Sequence, residues 1–160
     1  KINKKIDSGK IISSSSFFNK KNYTINDIQI KSNKIFCNLT LDAIKKLNNN
    51  KKLKNQKKSI SYFKQRSSKD AFIDFNKTNL EIFNLVRAQS FPYKGAFFYN
   101  NKKKFRIIKC LRSKISPNLK YGTIFKFKGK KKMFIKCKTK SIMIEDIKPN
   151  FKTLKNIKII

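Results

Sequence analysis

The chain has 160 residues, enough for one full domain or parts of two. Hydrophobic residues make up 39% and aromatics 12%, so a core can be buried, while 41 Lys+Arg against 8 Asp+Glu leave a net charge of +33. No apolar run approaches the roughly 18 residues that a bilayer span needs, and the absence of histidine excludes a Cys/His zinc site.

In chain order, residues 1–20 read as loop, strand, loop, with Ile11-Ile12 and Phe17-Phe18 as the apolar points. Thr24 followed three residues on by Asp27 reads as a capping box. Ile28, Ile35, Leu39, Ala43 and Leu47 then fall at about 3.6-residue spacing, which predicts an amphipathic helix over 24–47. Residues 48–60 hold little that can be buried and read as a solvated basic connector. Thr78 with Glu81 forms a second capping box, ahead of a short helix through Ile82, Phe83, Val86 and Ala88. That helix must end before Pro92, because the residue before proline avoids helical geometry.

From residue 96 the apolar period becomes two. Ala96–Tyr99, Phe105–Cys110, Thr123–Lys128, Met133–Lys138 and Ser141–Ile147 read as strands. Asn100-Asn101-Lys102 and Lys128-Gly129-Lys130 supply hairpin turns, and Pro117 and Gly122 bound a longer connection. The expected fold class is α+β, with the five strands closed into a small OB-like β-barrel, since closure removes exposed edges. Residues 148–160 read as a basic, peripheral tail.

Cys37, Cys110 and Cys137 lack paired C-x-x-C spacing, so no metal site is expected. They are expected to behave as small buried hydrophobes in a reducing compartment. The chain opens on Lys1 and not on methionine. A preceding segment is therefore expected, and a targeting peptide is neither seen nor excluded.

One ordered series is more specific than composition. It comprises Ile6-Asp7-Ser8-Gly9-Lys10-Ile11-Ile12, Tyr62-Phe63-Lys64-Gln65-Arg66, Lys69 to Phe75, Arg87-Ala88, and Phe91 to Phe97. It resembles the junction between the catalytic and C-terminal domains of 10-formyltetrahydrofolate-dependent formyltransferases of the methionyl-tRNA formyltransferase type. The resemblance runs from about residue 5 to about residue 147. The helix at 24–47 is similar to the last helix of the family's catalytic domain, Gln56 and Tyr62 match its inter-domain linker, and Asp74-Phe75 stands where Asp-Trp is usual. Lys10 replaces an acidic residue, and Lys94 replaces the second proline of a Pro-Trp-Pro-Gly-like turn.

The resemblance implies residues 1–47 as the C-terminal piece of a Rossmann-like catalytic domain and 48–70 as a basic linker. It implies 71–150 as the OB-like domain and 151–160 as a basic tail. It places Asp7 on the catalytic aspartate, which would orient a histidine that carries protons and meets the tetrahedral oxyanion. By itself Asp7-Ser8-Gly9 also reads as an ordinary turn. The family's Asn and His lie upstream, and this chain has no histidine. The chain alone is therefore expected to be an inactive portion of the enzyme, a fragment or split product whose N-terminal half is a missing partner. The intact enzyme would use 10-formyltetrahydrofolate as co-substrate, with none expected to bind this chain alone, in the cytoplasm and without membrane contact.

A field of +33 attracts polyanions, RNA foremost. Arginine occurs only at Arg66, Arg87, Arg106 and Arg112, and the excess of Lys, Asn and Ile also fits an AT-biased genome; both readings stay open. Strands such as Ile124 to Lys128 alternate lysine with apolar residues, as any half-buried strand does. The functional reading is a cationic platform for tRNA phosphates made by Arg66, Arg87, Lys102, Lys103, Lys104, Arg106, Lys126, Lys128, Lys130, Lys131 and Lys132. Such contacts position an RNA without selecting its sequence. The leading acceptor is initiator methionyl-tRNA. A nucleotide-linked amino sugar is the alternative, because Tyr62 to Arg66 and Asp70 to Asp74 resemble that branch somewhat more. A non-enzymatic basic RNA-binding protein is the third reading; it accounts for the charge but not for the ordered series.

Overall fold

The computed structural model describes Lys4, residues 8–57 and residues 63–160. The chain divides into two compact units, residues 1–21 with 27–65, and residues 22–26 with 66–160.

Most of helix α1 (Ile25–Asn48) belongs to the first unit. Its start just after Thr24 and its length agree with the 3.6-residue pattern, but none of its residues is fully buried. Ile28, Ile35, Leu39 and Ala43 are half-buried and Leu47 is exposed, so the expected apolar face is only partly covered. Asp42 on this helix accepts hydrogen bonds from Ser13 and Lys46, and these bonds hold its carboxyl below the ordinary range. The expected strand near Ile11 is a single antiparallel bridge to Lys54. Gln56 also donates to the Gly9 carbonyl at 2.6 Å. The connector at 51–57 is therefore exposed but tied back rather than free. Among the described residues this unit holds one helix and no sheet, so a Rossmann-like remnant rests on the resemblance alone.

The second unit builds a six-stranded sheet and lays a helix on it. The strands are β1 (Ala96–Asn100), β2 (Lys103–Ser113), β3 (Ile124–Lys126), β4 (Met133–Lys136), β5 (Ser141–Lys148) and β6 (Lys158–Ile159). Their order is β1-β2-β5-β4-β3-β6, antiparallel except for β6 on β3. Asn101 and Lys102 turn the first hairpin with φ of 48° and 61°, both in the left-handed region that suits a tight two-residue turn. Helix α2 (Asn79–Ala88) starts at the predicted capping box: Thr78 accepts from the Glu81 amide, and Glu81 accepts from the Thr78 amide at 2.8 Å. The bonds donated by the Thr78 amide and then by its hydroxyl depress the Glu81 carboxyl below its ordinary value.

α2 packs on β2 and β5 and buries Ile82 and Val86 in one core with Phe98 of β1 and with Phe105, Ile107, Cys110, Ile142, Ile144 and Ile147. The first residue of α2 pins it. Asn79 is 4% exposed and its amide donates to the Ser113 carbonyl at 3.0 Å and the Ser141 carbonyl at 3.2 Å. One side chain thus ties the end of β2, the start of β5 and the helix together.

The strands were legible, but three details differ from the sequence expectation. The ladder is open: no pairing joins β1 to β6 among the described residues. At that gap Asn100 bonds the Lys155 backbone in both directions, at 3.1 and 2.9 Å, in place of strand pairing. A barrel is therefore not established by the ladder. Residues 151–160 are not a loose tail, since Leu154 is in the core and β6 extends the sheet. Phe151 and Ile157 pack against the same core, and between these apolar residues stand lysines that make the segment look peripheral in sequence. Third, Cys110 and Cys137 are buried as expected, whereas Cys37 is exposed on α1 because that helix is not enclosed.

Two outcomes follow from these packings. Replacing Asn79 with leucine leaves two strand-end carbonyls without their donor and is expected to cost about 1–3 kcal/mol in urea unfolding. A loss within error of zero would mean that the amide does not pin the helix. Burial pushes the Cys110 thiol up to about 12 and the Cys137 thiol up to about 11, so both stay protonated at pH 8. A thiol-reactive dye is expected to label Cys37 rapidly in the folded chain and all three cysteines in denaturant; rapid labelling of Cys110 or Cys137 in the folded chain would contradict their burial.

Candidate anion-binding site

The pairing register decides which side chains share a face. On β1 and β2, Ala96, Phe98, Phe105 and Ile107 point to the α2 core, and Phe97, Tyr99, Lys104 and Arg106 alternate to the other side. Phe97 sits opposite Arg106 in the register. The Lys104 ammonium lies 3.7 Å above the Phe97 ring, and the Arg106 guanidinium is 6.0 Å from it. Contacts of this kind contribute about 1 kcal/mol when partly shielded. Phe72 packs edge-on to the same ring at 5.6 Å, and the Ile73 amide donates to the Phe97 carbonyl at 2.7 Å. Phe97 is thereby fixed as a 7% exposed base for the surrounding cations.

Around this ring is a cavity of about 690 Å³. Its walls are Arg66 to Ser68 and Ala71 from a 3-10 turn, Ala88 and Gln89 from the end of α2, Tyr93 to Gly95, the two strands, and Ile25. The 3-10 turn (Ser68–Ala71) is itself held by a capping box between Ser67 and Asp70. Hydrogen bonds from the Ser67 backbone and then its hydroxyl keep the Asp70 carboxyl below its ordinary value. Gly95 closes the far wall with φ 93°, where a side chain would also meet Ile108 at 3.0 Å. The Gly95 amide donates to the Gln89 carbonyl at 2.9 Å, and its carbonyl faces the Arg106 guanidinium at 3.5 Å.

Four cationic side chains, Arg66, Lys94, Lys104 and Arg106, line the cavity, and no carboxylate does among the described residues. Nor does any imidazole or thiol. The arrangement is suited to holding an anionic group against a flat ring.

The sequence-predicted site residues separate into groups. Arg66, Lys104 and Arg106 come together in this cavity. Lys102 and Lys103 are exposed at the tip of the same β1–β2 hairpin. Lys126, Lys128, Lys130, Lys131 and Lys132 belong to the β3–β4 hairpin, from which β2 is separated in the ladder by β5. Arg87 is used by the fold: it donates to the Tyr23 carbonyl at 2.7 Å and to Asn84 at 3.2 Å, and lies over the Phe83 ring. Asp7 lies outside the described residues, as does Tyr62. Sequence reasoning missed Tyr93 and Lys94 as wall residues; their place beside Pro92 and Gly95 in the ordered series was the signal available. It also missed Lys136, which is 6% exposed.

Comparison with known proteins places this unit. The family model for the formyl transferase C-terminal domain matches residues 66–158. The bifunctional polymyxin resistance protein ArnA of Wigglesworthia glossinidia brevipalpis is 36% identical over 156 residues, covering 90% of this chain and 22% of that protein. A methionyl-tRNA formyltransferase of Natranaerobius thermophilus is 28% identical over 154 residues, covering 92% of this chain and 49% of that protein. Thus the chain spans half or less of the length of these relatives. Two crystal structures of HypX variants from Aquifex aeolicus superpose with TM-scores of 0.64 and 0.62 at 12% identity, over 91% of this chain and 26% of theirs. That likeness establishes a shared fold. With more than half of its residues under the family model, the chain belongs to the formyltransferase family and carries its C-terminal domain.

Proposed function

We propose that this chain is the C-terminal portion of an enzyme that moves a formyl group from 10-formyltetrahydrofolate to the amino group of methionyl-tRNA, with the basic unit helping to hold the tRNA. The observation that carries this reading is the family match over residues 66–158, which brackets the cavity walled by Arg66, Lys94, Lys104 and Arg106. An acceptor that arrives on a polyanion is drawn to a surface with few carboxylates, and the charge of +33 supplies the long-range attraction.

In the proposed reaction the amino nitrogen attacks the formyl carbon and gives a tetrahedral oxyanion. The bond from that carbon to the folate nitrogen then breaks, and the amine's proton passes to the leaving nitrogen. Asp7 would orient the histidine that manages these protons. No histidine occurs in these 160 residues, so the imidazole must come from polypeptide outside them. The same division assigns residues 1–47 to the catalytic side and the unit from Arg66 onward to acceptor docking in the cytoplasm.

A nucleotide-linked amino sugar is the second reading. The segments Tyr62 to Arg66 and Asp70 to Asp74 resemble the sugar branch somewhat more, and the higher identity is to ArnA rather than to the methionyl-tRNA formyltransferase.

Turnover by the catalytic half combined with this chain separates the acceptors: formylated methionyl-tRNA supports the first reading, and formylation of a nucleotide amino sugar alone overturns it. The 160-residue chain alone is expected to show no turnover. Its affinity for tRNA is expected to fall steeply with salt, and Lys104→Gln with Arg106→Gln is expected to shallow the log–log slope by about two, since each phosphate contact contributes about 0.9. A salt-independent affinity, or a slope that these substitutions leave unchanged, would remove the electrostatic docking role.

A further inference from the structure

We infer that a second cavity, floored by the ammonium of the largely enclosed Lys136, is a phosphate-binding site separate from the Phe97 cavity. The inference stands on this cavity alone and does not depend on which acceptor the enzyme uses.

Lys136 ends β4, and its backbone is held in place: its amide donates to the Thr123 carbonyl at 3.0 Å and its carbonyl accepts from Gly122 at 2.8 Å. Its side chain is enclosed with it, the residue being 6% exposed. The ammonium donates to the Ser116 hydroxyl at 2.8 Å and, at the longer distance of 3.4 Å, to the Thr139 carbonyl. Both acceptors are neutral. An ammonium has three donors and a full charge. The described protein meets two of the donors and offers no carboxylate for the charge, its ion pairs lying elsewhere at Lys46–Asp42 and Lys109–Glu145. Lysine is rarely buried unless paired, and enclosing an ion without a counter-charge is costly. A bound anion would supply both missing terms at once.

The surroundings fit an anion. The cavity has a volume of about 620 Å³, and Lys120 and Lys138 line it as exposed residues beside the enclosed Lys136. No acidic residue lines it among the described residues. Lys136 provides a point charge held by its hydrogen bonds, and the two exposed lysines stand beside it for oxygens that a phosphate presents tetrahedrally. Tyr121, 45% exposed on the wall, offers a ring to whatever the phosphate carries. The site can be filled by a small phosphate compound or by one phosphate of an RNA backbone.

Isothermal titration of the whole chain with inorganic pyrophosphate, and separately with a short single-stranded oligoribonucleotide at the same ionic strength, tests this. At least one probe is expected to bind saturably at a site whose affinity is lowered about tenfold or more by Lys136→Met and several-fold by Lys138→Gln. Lys152→Gln, on an exposed residue away from the cavity, is expected to change nothing. Binding of pyrophosphate identifies a small-phosphate site; binding of the oligonucleotide alone identifies an RNA-backbone site. Absence of saturable binding by both probes, or equal affinity in Lys136→Met, overturns the inference. Should that variant not fold, amide resonances of the unsubstituted chain decide: shifts on adding the probe must include residues 116–121 and 136–139, and shifts confined elsewhere overturn it.

Discussion

The seating of α2 on β2 and β5 is the constraint on which the second unit depends. A ten-residue helix is too short to persist in water on its own. It is held by burial of Ile82 and Val86, by its capping box and by the Asn79 amide that reaches two strand ends. Where this helix stops determines where the loop from Gln89 to Gly95 runs. That loop forms one wall of the cavity around Phe97. Core packing on one side of the sheet thereby sets the geometry of a binding site on the other.

The same division explains how so basic a chain keeps ordered cations. Most of its few carboxylates with resolved partners serve local structure: Asp42 binds Ser13 and Lys46, while Asp70 and Glu81 close capping boxes. Glu145 pairs with Lys109. Carboxylates used in this way do not reach the two cavities. The strand residues that alternate away from the α2 core, Lys104 and Arg106 on β2 and Lys136 on β4, are left to face them with positive charge. The positive charge at such places comes from what the fold withholds as much as from the lysines it places there.

The family resemblance and the family match meet in the stretch from Arg66 to Phe97, which contains the capping turn, the helix and the glycine that shape the cavity. Relatives that share this domain are much longer than this chain.

Local signals were legible in the amino-acid order. Thr78 with Glu81 predicted the start of α2, the apolar alternation predicted five strands, and Asn100-Asn101-Lys102 predicted the hairpin turn, because capping, pleating and turn geometry act over a few neighbouring residues. The order of the strands, the open ladder and the addition of β6 were decided only in three dimensions. So were the burial of Lys136, the use of Arg87 by the fold and the gathering of Arg66, Lys94, Lys104 and Arg106 around Phe97. Each of these depends on contacts between residues far apart in the chain, and alternation along a strand can say that two lysines share a face without saying what covers it.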